Sequence, residues 1–482
     1  MIQLVQNKQD YNNDLRAMLM AFFPGKKIVE NMGEGQDAGL ILYADYKNDA
    51  TCLRLCRNRD GFEACRTLEA DYRMKDSFRN ILKMVSYELL CELTGRRLPW
   101  GDLTGVRPTK IAMKQLRNGI NIDGAINYYI NEYGVSEKKA RLATKVASHE
   151  ISLTSDFDFE RDYCLYIGIP FCPSRCLYCS FTSYPIEAYK DKAKLYIDRL
   201  KEEITAVKHM LPASKRLVSI YIGGGTPTSI SHELLDELLS HVALVFDLTY
   251  LKEYTVEAGR PDSFTEDKLK VLKAHGVSRI SINPQTMNDA TLKKIGRAHS
   301  SDQTEEAFRL ARKCGFDNIN MDIIAGLPGE DISSMEHTLK RIKQLGPESI
   351  TVHSLAIKRA ANLNRQMDEF AGEIHHDTDR MLDAVGDVAT SLNMEPYYLY
   401  RQKNIGGNLE NVGYSRPGME CLYNILIMEE LTDIIALGAG ASTKLTFHRE
   451  NRVERVENCK SVDDYIGRLD EMLDRKRNML QS

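Results

Sequence analysis

The chain has 482 residues, 43% hydrophobic and 27% charged, with a formal net charge of −4. That length provides for two or three domains with separate cores, and the absence of a basic excess argues against a general nucleic-acid binder. No uninterrupted apolar run is long enough for a membrane span, no signal peptide opens the sequence, and the 11 cysteines form no disulfide framework, so a reducing cytoplasm is the expected compartment.

Residues 1–150 read as an N-terminal α+β accessory domain without an evident site. Short strands are predicted over 27–32, 38–46 and 51–57, separated by turns containing Gly and Asn. In 76–94, Phe78, Ile81, Leu82, Val85, Leu89 and Leu90 form one helical stripe. Residues 98–108 hold Trp100, the single tryptophan, between Pro99 and Pro108. They are expected to form a shaped loop that packs on the second domain. A helix over 137–149 and a linker over 151–162, acidic and polar from 154, follow. Cys52, Cys56 and Cys65 invite a metal reading, but burial on a strand face is the commoner fate of free cysteine and is the expectation here.

From Cys164 the pattern changes to strand followed by helix, repeated. Strands are predicted over 164–170, 217–222, 253–258, 279–283, 318–324 and 349–355, with helices near 188–210, 231–246, 264–275, 303–314 and 332–345. Such alternation specifies a parallel sheet with crossover helices. Six units over 163–360 make the fold class α/β, a partial (β/α)6 barrel, followed by a C-terminal extension over 361–482. In barrels of this kind chemistry gathers on the loops after the strands' C-terminal ends.

The loop after the first barrel strand carries Cys172, Cys176 and Cys179, spaced C-x3-C-x2-C between Pro170 and Phe181. Three thiolates from one short loop can hold three corners of a [4Fe–4S] cube and leave the fourth iron open to a ligand. Zinc would require a fourth Cys or His, usually from a second paired motif, and no such pair follows. The second strand ends in Gly223-Gly-Gly-Thr-Pro-Thr228, where glycines let backbone approach a ligand closely. It lacks the lysine of a nucleotide-binding P-loop. Glu257, Gln285, Arg297 and Asp322 fall at or near later strand ends. Each alone reads equally as a structural salt bridge; together they read as the lining for a polar, zwitterionic ligand.

These motifs, with Asp322-Ile-Ile-Ala-Gly-Leu-Pro328, resemble the radical S-adenosylmethionine enzymes. The approach Tyr166-x-x-Ile169-Pro-Phe-Cys172 looks like the oxygen-independent coproporphyrinogen III oxidase subgroup, and Trp100-Gly-Asp-Leu-Thr-Gly-Val-Arg-Pro108 is similar to its HemZ branch. The resemblance implies that Cys172, Cys176 and Cys179 bind three irons and that S-adenosylmethionine chelates the fourth. It further implies that Tyr166, Tyr178, Gly224, Gly225, Thr226, Glu257, Gln285, Arg297 and Asp322 contact this cofactor, with Tyr166 also beside the reacting centre. Arg297 would suit the carboxylate, and Gln285 and Asp322 the ribose hydroxyls. The implied reaction begins with reductive cleavage of the sulfonium, fed by a flavodoxin- or ferredoxin-type donor, and ends with oxidative decarboxylation of coproporphyrinogen propionates to vinyl groups.

Three departures from the oxidase pattern bear on the substrate. Gly168 stands where the oxidase has a histidine, Phe181 where it often has a fourth cysteine, and the sequence after Lys444 is too short for the usual C-terminal helical domain. The heme-chaperone branch of the family also lacks that fourth cysteine, so heme and other tetrapyrroles stay open as ligands. Lys358, Arg359, Arg401, Lys403 and Arg416 are the candidate partners for propionates, against the plainer reading of a solvated basic face. Tyr397, Tyr398, Tyr400 and Tyr414 could wall a tetrapyrrole or pack as strand residues. By resemblance, the turn Gly438-Ala-Gly-Ala-Ser442 closes the cofactor end.

Overall fold

The computed structural model describes residues 1–30, 38–356, 363, 377–402 and 408–480. Lys358, Arg359, Lys403 and the last two residues of the first predicted strand lie outside them. The chain forms two compact units, Met1–Ser148 with Leu399–Glu410, and His149–Tyr398 with Asn411–Ser482.

Period-two patterning builds the sheet of the first unit. Its strands are β1 (Ile2–Gln6), β2 (Ile28–Glu30), β3 (Leu40–Tyr46), β4 (Thr51–Arg57) and β5 (Phe62–Leu68), in the order β2-β1-β3-β4-β5. β1 runs parallel to both neighbours, whereas β3, β4 and β5 form an antiparallel meander. Along β3 buried residues alternate strictly with half-buried ones. The buried set joins α1 (Asn12–Phe22) and α2 (Lys75–Thr94) in one core that includes Leu4, Leu19, Leu42, Leu53, Phe78 and Leu90. The predicted burial of Cys52, Cys56 and Cys65 fails for the same reason. Thr51, Leu53 and Leu55 take the inward positions of β4, so Cys52 and Cys56 point outward, and Cys65 is exposed.

The tryptophan loop is anchored within this unit. Trp100 is fully buried and its Nε1 donates to Glu410 at 2.7 Å. Lys139 Nζ donates to the other oxygen of the same carboxylate at 2.8 Å. Arg401 lies 5.5 Å from the Trp100 ring and donates to the Leu103 carbonyl at 2.8 Å. It is 2% exposed, and burial holds its guanidinium down at about 10 despite Glu410. This arginine is therefore an internal brace and not a surface partner for propionates.

In the second unit the six predicted strands appear as β6 (Asp162–Ile169), β9 (Arg216–Gly224), β10 (Glu253–Glu257), β11 (Arg279–Ser281), β12 (Ile319–Ala325) and β13 (Ser349–Ser354), all parallel. Crossover helices Ile186–Met210, His232–Val245, Glu266–Ala274, Ser301–Lys313 and Ile332–Leu345 match the predicted positions. Ser231, Thr265, Ser300 and Asp331 cap four of them through side-chain oxygens. The C-terminal extension also enters this sheet. β16 (Asp433–Leu437) pairs with β6 as a seventh parallel strand, and β17 (Ser442–Phe447) and β18 (Arg452–Glu457) continue antiparallel. At the opposite edge β15 (Glu410–Ser415) pairs antiparallel with β13, and β14 (Glu395–Arg401) follows. Tyr397, Tyr398 and Tyr414 are buried on these strands. Among the described residues no helix is long and apolar enough to cross a membrane.

Candidate active site

The cysteine loop leaves β6 through Pro170 and a two-residue strand, β7 (Phe171–Cys172), which pairs with β8 (Tyr184–Pro185). Its far side is pinned from the loop after β11. Leu177 N–H donates to the Ile295 carbonyl at 3.0 Å and Ser174 Oγ to the Gly296 carbonyl at 3.1 Å. Leu177 and Tyr178 pack on a small apolar cluster of Leu292, Ile295, Ile324 and Leu327. The three thiols are thus presented by a loop that is tied down at both ends. The remaining cysteines of this unit lie elsewhere: Cys164 against Thr432, Cys421 against Glu253, Cys314 at a helix end and Cys459 after β18.

Two neighbours address the thiols directly. Thr226 Oγ1 donates to Cys172 Sγ at 3.5 Å, and Arg260 Nη1 lies 3.6 Å from Cys176 Sγ. Arg260 also reaches the Ser174 carbonyl and hydroxyl, and Asp262 holds it at 2.7 Å. Burial pushes the free Cys172 and Cys179 thiols up, against the donors that favour thiolate. Sequence reasoning passed over Arg260. Its signal was positional: a cation three residues beyond Glu257, on the loop after the third barrel strand.

The glycine turn clasps this loop. Gly225 N–H donates to the Ile169 carbonyl at 2.8 Å and Thr226 N–H to the Phe171 carbonyl at 2.7 Å. A Cβ on Gly225 would lie 2.5 Å from the Phe171 oxygen, so only glycine permits the approach. These amides therefore hold the cysteine strand, and a ligand contact from Thr226 would come from its side chain or carbonyl.

Below the turn Tyr166, Tyr221 and Tyr423 stack, with Tyr221 and Tyr423 ring centroids 4.5 Å apart. Tyr221 donates to Glu257 at 2.6 Å. Burial, with Asp322 adding like charge, outweighs that hydrogen bond and pushes the Glu257 carboxyl up to about 7. Burial works in the same sense on Asp322, but His353 at 3.9 Å and Asn320 at 2.6 Å overcome it and keep this carboxyl below its ordinary range. Gln285 stands beside them in the left-handed region, with φ of 68°, its N–H bonded to the Asp322 carbonyl. Such a backbone is uncommon in a non-glycine residue, and the other described non-glycine residues that share it here are Asn393, Asn408, Glu430 and Asn451.

Arg297 is differently engaged from the expectation. Its Nη1 donates to Tyr178 Oη at 2.9 Å and its Nη2 to the Gly259 and Asn283 carbonyls. Its buried Nε has no partner among the described residues. His299, two residues on, is held at about 3 by burial and by Arg297, hence neutral. Of the propionate candidates, Arg416 pairs with Glu348 at 3.4 Å, beside the N-terminal end of β13 and away from the cysteine loop.

Comparison with known proteins resolves the family. Residues 166–342 match the model of the Radical SAM superfamily. The oxygen-independent coproporphyrinogen-III oxidase-like protein HemZ of Bacillus subtilis is 38% identical over 85% of this chain and 83% of its own length. The chain belongs to the radical SAM superfamily, in the HemZ-like group. The heme chaperone HemW of Bacillus subtilis is 33% identical over 57% of this chain and 69% of its own. In fold, the Escherichia coli coproporphyrinogen III oxidase HemN aligns with a TM-score of 0.52 at 22% identity, covering 65% of this chain and 70% of that one.

Radical SAM proteins use a [4Fe–4S] cluster with S-adenosylmethionine, and the side chains of this HemZ-like site fit that pair. The donor set at the loop is three thiols with no fourth cysteine beside them, as a cluster with one open iron requires. The under-compensated Glu257 suits a cationic ligand group, and the unpartnered Arg297 Nε suits an acceptor.

Proposed function

We propose that this HemZ-like chain binds the cluster through Cys172, Cys176 and Cys179 and S-adenosylmethionine across the strand ends, and oxidatively decarboxylates coproporphyrinogen III propionates to vinyl groups. One observation carries the reading: the thiol loop, the glycine turn and the polar residues Glu257, Gln285 and Asp322 gather at one end of one barrel. When bound, the pair supplies a radical able to abstract a substrate hydrogen. The chain's part is placement. Arg260 and Thr226 polarise two thiols, Tyr221 orients Glu257, and Asn320 with His353 keeps Asp322 ionised and ready to accept ligand hydroxyls. The stacked tyrosines wall the barrel below and exclude water from that end.

A flavodoxin- or ferredoxin-type donor in the cytoplasm would supply the electron. The test is an anaerobic assay of reconstituted protein with coproporphyrinogen III, reductant and S-adenosylmethionine. A vinyl product is expected; cofactor cleavage without it would sink the substrate assignment.

A second reading, heme binding and transfer, is favoured by Phe181, which is 66% exposed on the cysteine loop, and by the likeness to HemW. An exposed aromatic at the rim is a surface for a flat apolar ligand. Gly168 accords with either reading: a Cβ there would lie 3.3 Å from the Leu437 carbonyl, so a histidine would enter only if the neighbouring turn gave way. Titration with heme followed by transfer to an apo-acceptor separates the two.

A further inference from the structure

The outer face of the N-terminal sheet carries chemistry that the barrel does not use. Cys52 on β4 and Cys65 on β5 place their Sγ atoms 3.1 Å apart. The register explains the pairing. Arg54 lies opposite Cys65, and Cys52 and Cys56 flank Arg54 on the same face, so both are diagonal neighbours of Cys65. The right-handed twist of paired strands shortens one diagonal and lengthens the other, and here the short diagonal runs to Cys52. Cys65 is exposed and Cys52 half-buried, so an external reagent meets Cys65 first. The hydrogen bond with Cys65 and burial raise the Cys52 thiol and burial raises Cys56, while the Arg54 guanidinium, paired with Glu63 at 3.5 Å, opposes the rise at each.

We propose that Cys52 and Cys65 form a dithiol site that reacts reversibly with low-molecular-weight disulfides. The Cys65 thiolate attacks one sulfur of the external disulfide, forming a mixed disulfide and releasing the first small thiol. The Cys52 thiolate then attacks the Cys65 sulfur; the Cys52–Cys65 bond forms, the mixed disulfide breaks, and the second small thiol leaves. Two protein thiols are oxidised, one external disulfide is reduced, and the two thiol protons pass to the departing thiols. The Sγ atoms start 3.1 Å apart and must reach about 2.0 Å to bond, on strands that are already joined by a short turn and paired along their length.

The site is tested on the full-length, cluster-loaded protein under anaerobic conditions. It is equilibrated in glutathione buffers of increasing oxidised fraction, trapped with an alkylating agent and mapped by mass spectrometry. Expected in the oxidised buffers are loss of both Cys52 and Cys65 to alkylation, a Cys52–Cys65 linked peptide, and Cys56 alkylated as before. Cys52→Ser, a change on the outer face, should leave glutathione attached to Cys65, because the resolving thiol is gone. Persistence of both thiols in the most oxidising buffer, or a link from Cys65 to Cys56, would overturn the assignment.

Discussion

The two ends of the barrel strands partner most of their charges differently, although at the N-terminal ends Arg279 also keeps an unpartnered Nε and Glu253 accepts from Ser219 and the Leu422 and Tyr423 amides. At the N-terminal ends Asp162 pairs with Arg216 at 2.7 Å, Asp433 with Lys215 at 2.6 Å, and Glu348 with Arg312 and Arg416 at 2.7 and 3.4 Å. Among the described residues toward the C-terminal ends, Glu257 accepts from one hydroxyl and has no ion pair, Asp322 has Asn320 at 2.6 Å and His353 at 3.9 Å, and Arg297 keeps an unpartnered Nε. Folding alone would favour the first arrangement, since buried charge without compensation is unfavourable. On the proposed function, S-adenosylmethionine would complete the second set.

That contrast can be broken by substitutions, taken here from the largest effect to the smallest. Cys176→Ala should abolish cluster incorporation, read as loss of iron, sulfide and brown colour, with the circular dichroism spectrum retained. A brown variant would contradict the ligand assignment. On the scaffold side, Lys476 and Glu203 form an ion pair that is fully buried. Lys476→Met leaves the buried carboxylate with its donors Gly438 N–H, Asn458 and Tyr465 but without its cation, and should destabilise the protein by roughly 3–5 kcal/mol. Unfolding by denaturant checks this, and pairing it with Glu203→Gln should recover most of the loss.

Glu257 gives a pH signature. Its folded value of about 7 stands above the ordinary 4.5, so between those values the native state keeps a proton that the unfolded state has released. Stability therefore falls as pH rises through that window, by roughly 3 kcal/mol in total from this group. Glu257→Gln should flatten that slope. Binding of S-adenosylmethionine should release protons near pH 7 in the parent and not in the variant, measured by calorimetry in buffers of different ionisation enthalpy.

Arg260→Lys removes the planar fork that serves Cys176 and Ser174 together. The cluster's midpoint potential should fall by up to about 60 mV, the one-electron equivalent of a tenfold change, because N–H donors to cluster sulfur favour the reduced state. An unmoved potential would demote Arg260 to a loop brace. Smallest of all, Arg416→Ala should change stability by less than about 1 kcal/mol and leave cofactor binding untouched. A marked loss of tetrapyrrole affinity would restore it to the site.

The barrel was legible because strands buried on both faces and the helices between them leave strong periodic signals, from β6 through β13. The thiols and the glycine turn were legible because spacing alone constrains them. What the sequence concealed was tertiary. β1 and β16 are short runs whose partners lie far along the chain. Arg401 reads as a surface cation until its burial against Trp100 is seen. Arg297 had the expected placement, but its donors turn to Tyr178 and two carbonyls, which no linear pattern reports. Cys52 and Cys56 were misjudged for a local reason: the leucine alternation around them already fixed the outward face.

The pairing of β6 with β16 has a consequence in time. The strand that leads into the cysteine loop emerges from the ribosome about 270 residues before the strand that covers its second edge. At about 5–20 residues per second that interval lasts roughly 15–55 s. During it β6, with nearly every side chain buried in the finished fold, has one open edge of the kind that recruits other chains. The Gly438 turn also arrives late, where Tyr196 joins the Gly168 carbonyl to the Ala439 amide. Cluster loading into a settled site thus belongs after synthesis of the last strands, and slow delivery of that segment would be felt first as aggregation of the nascent protein.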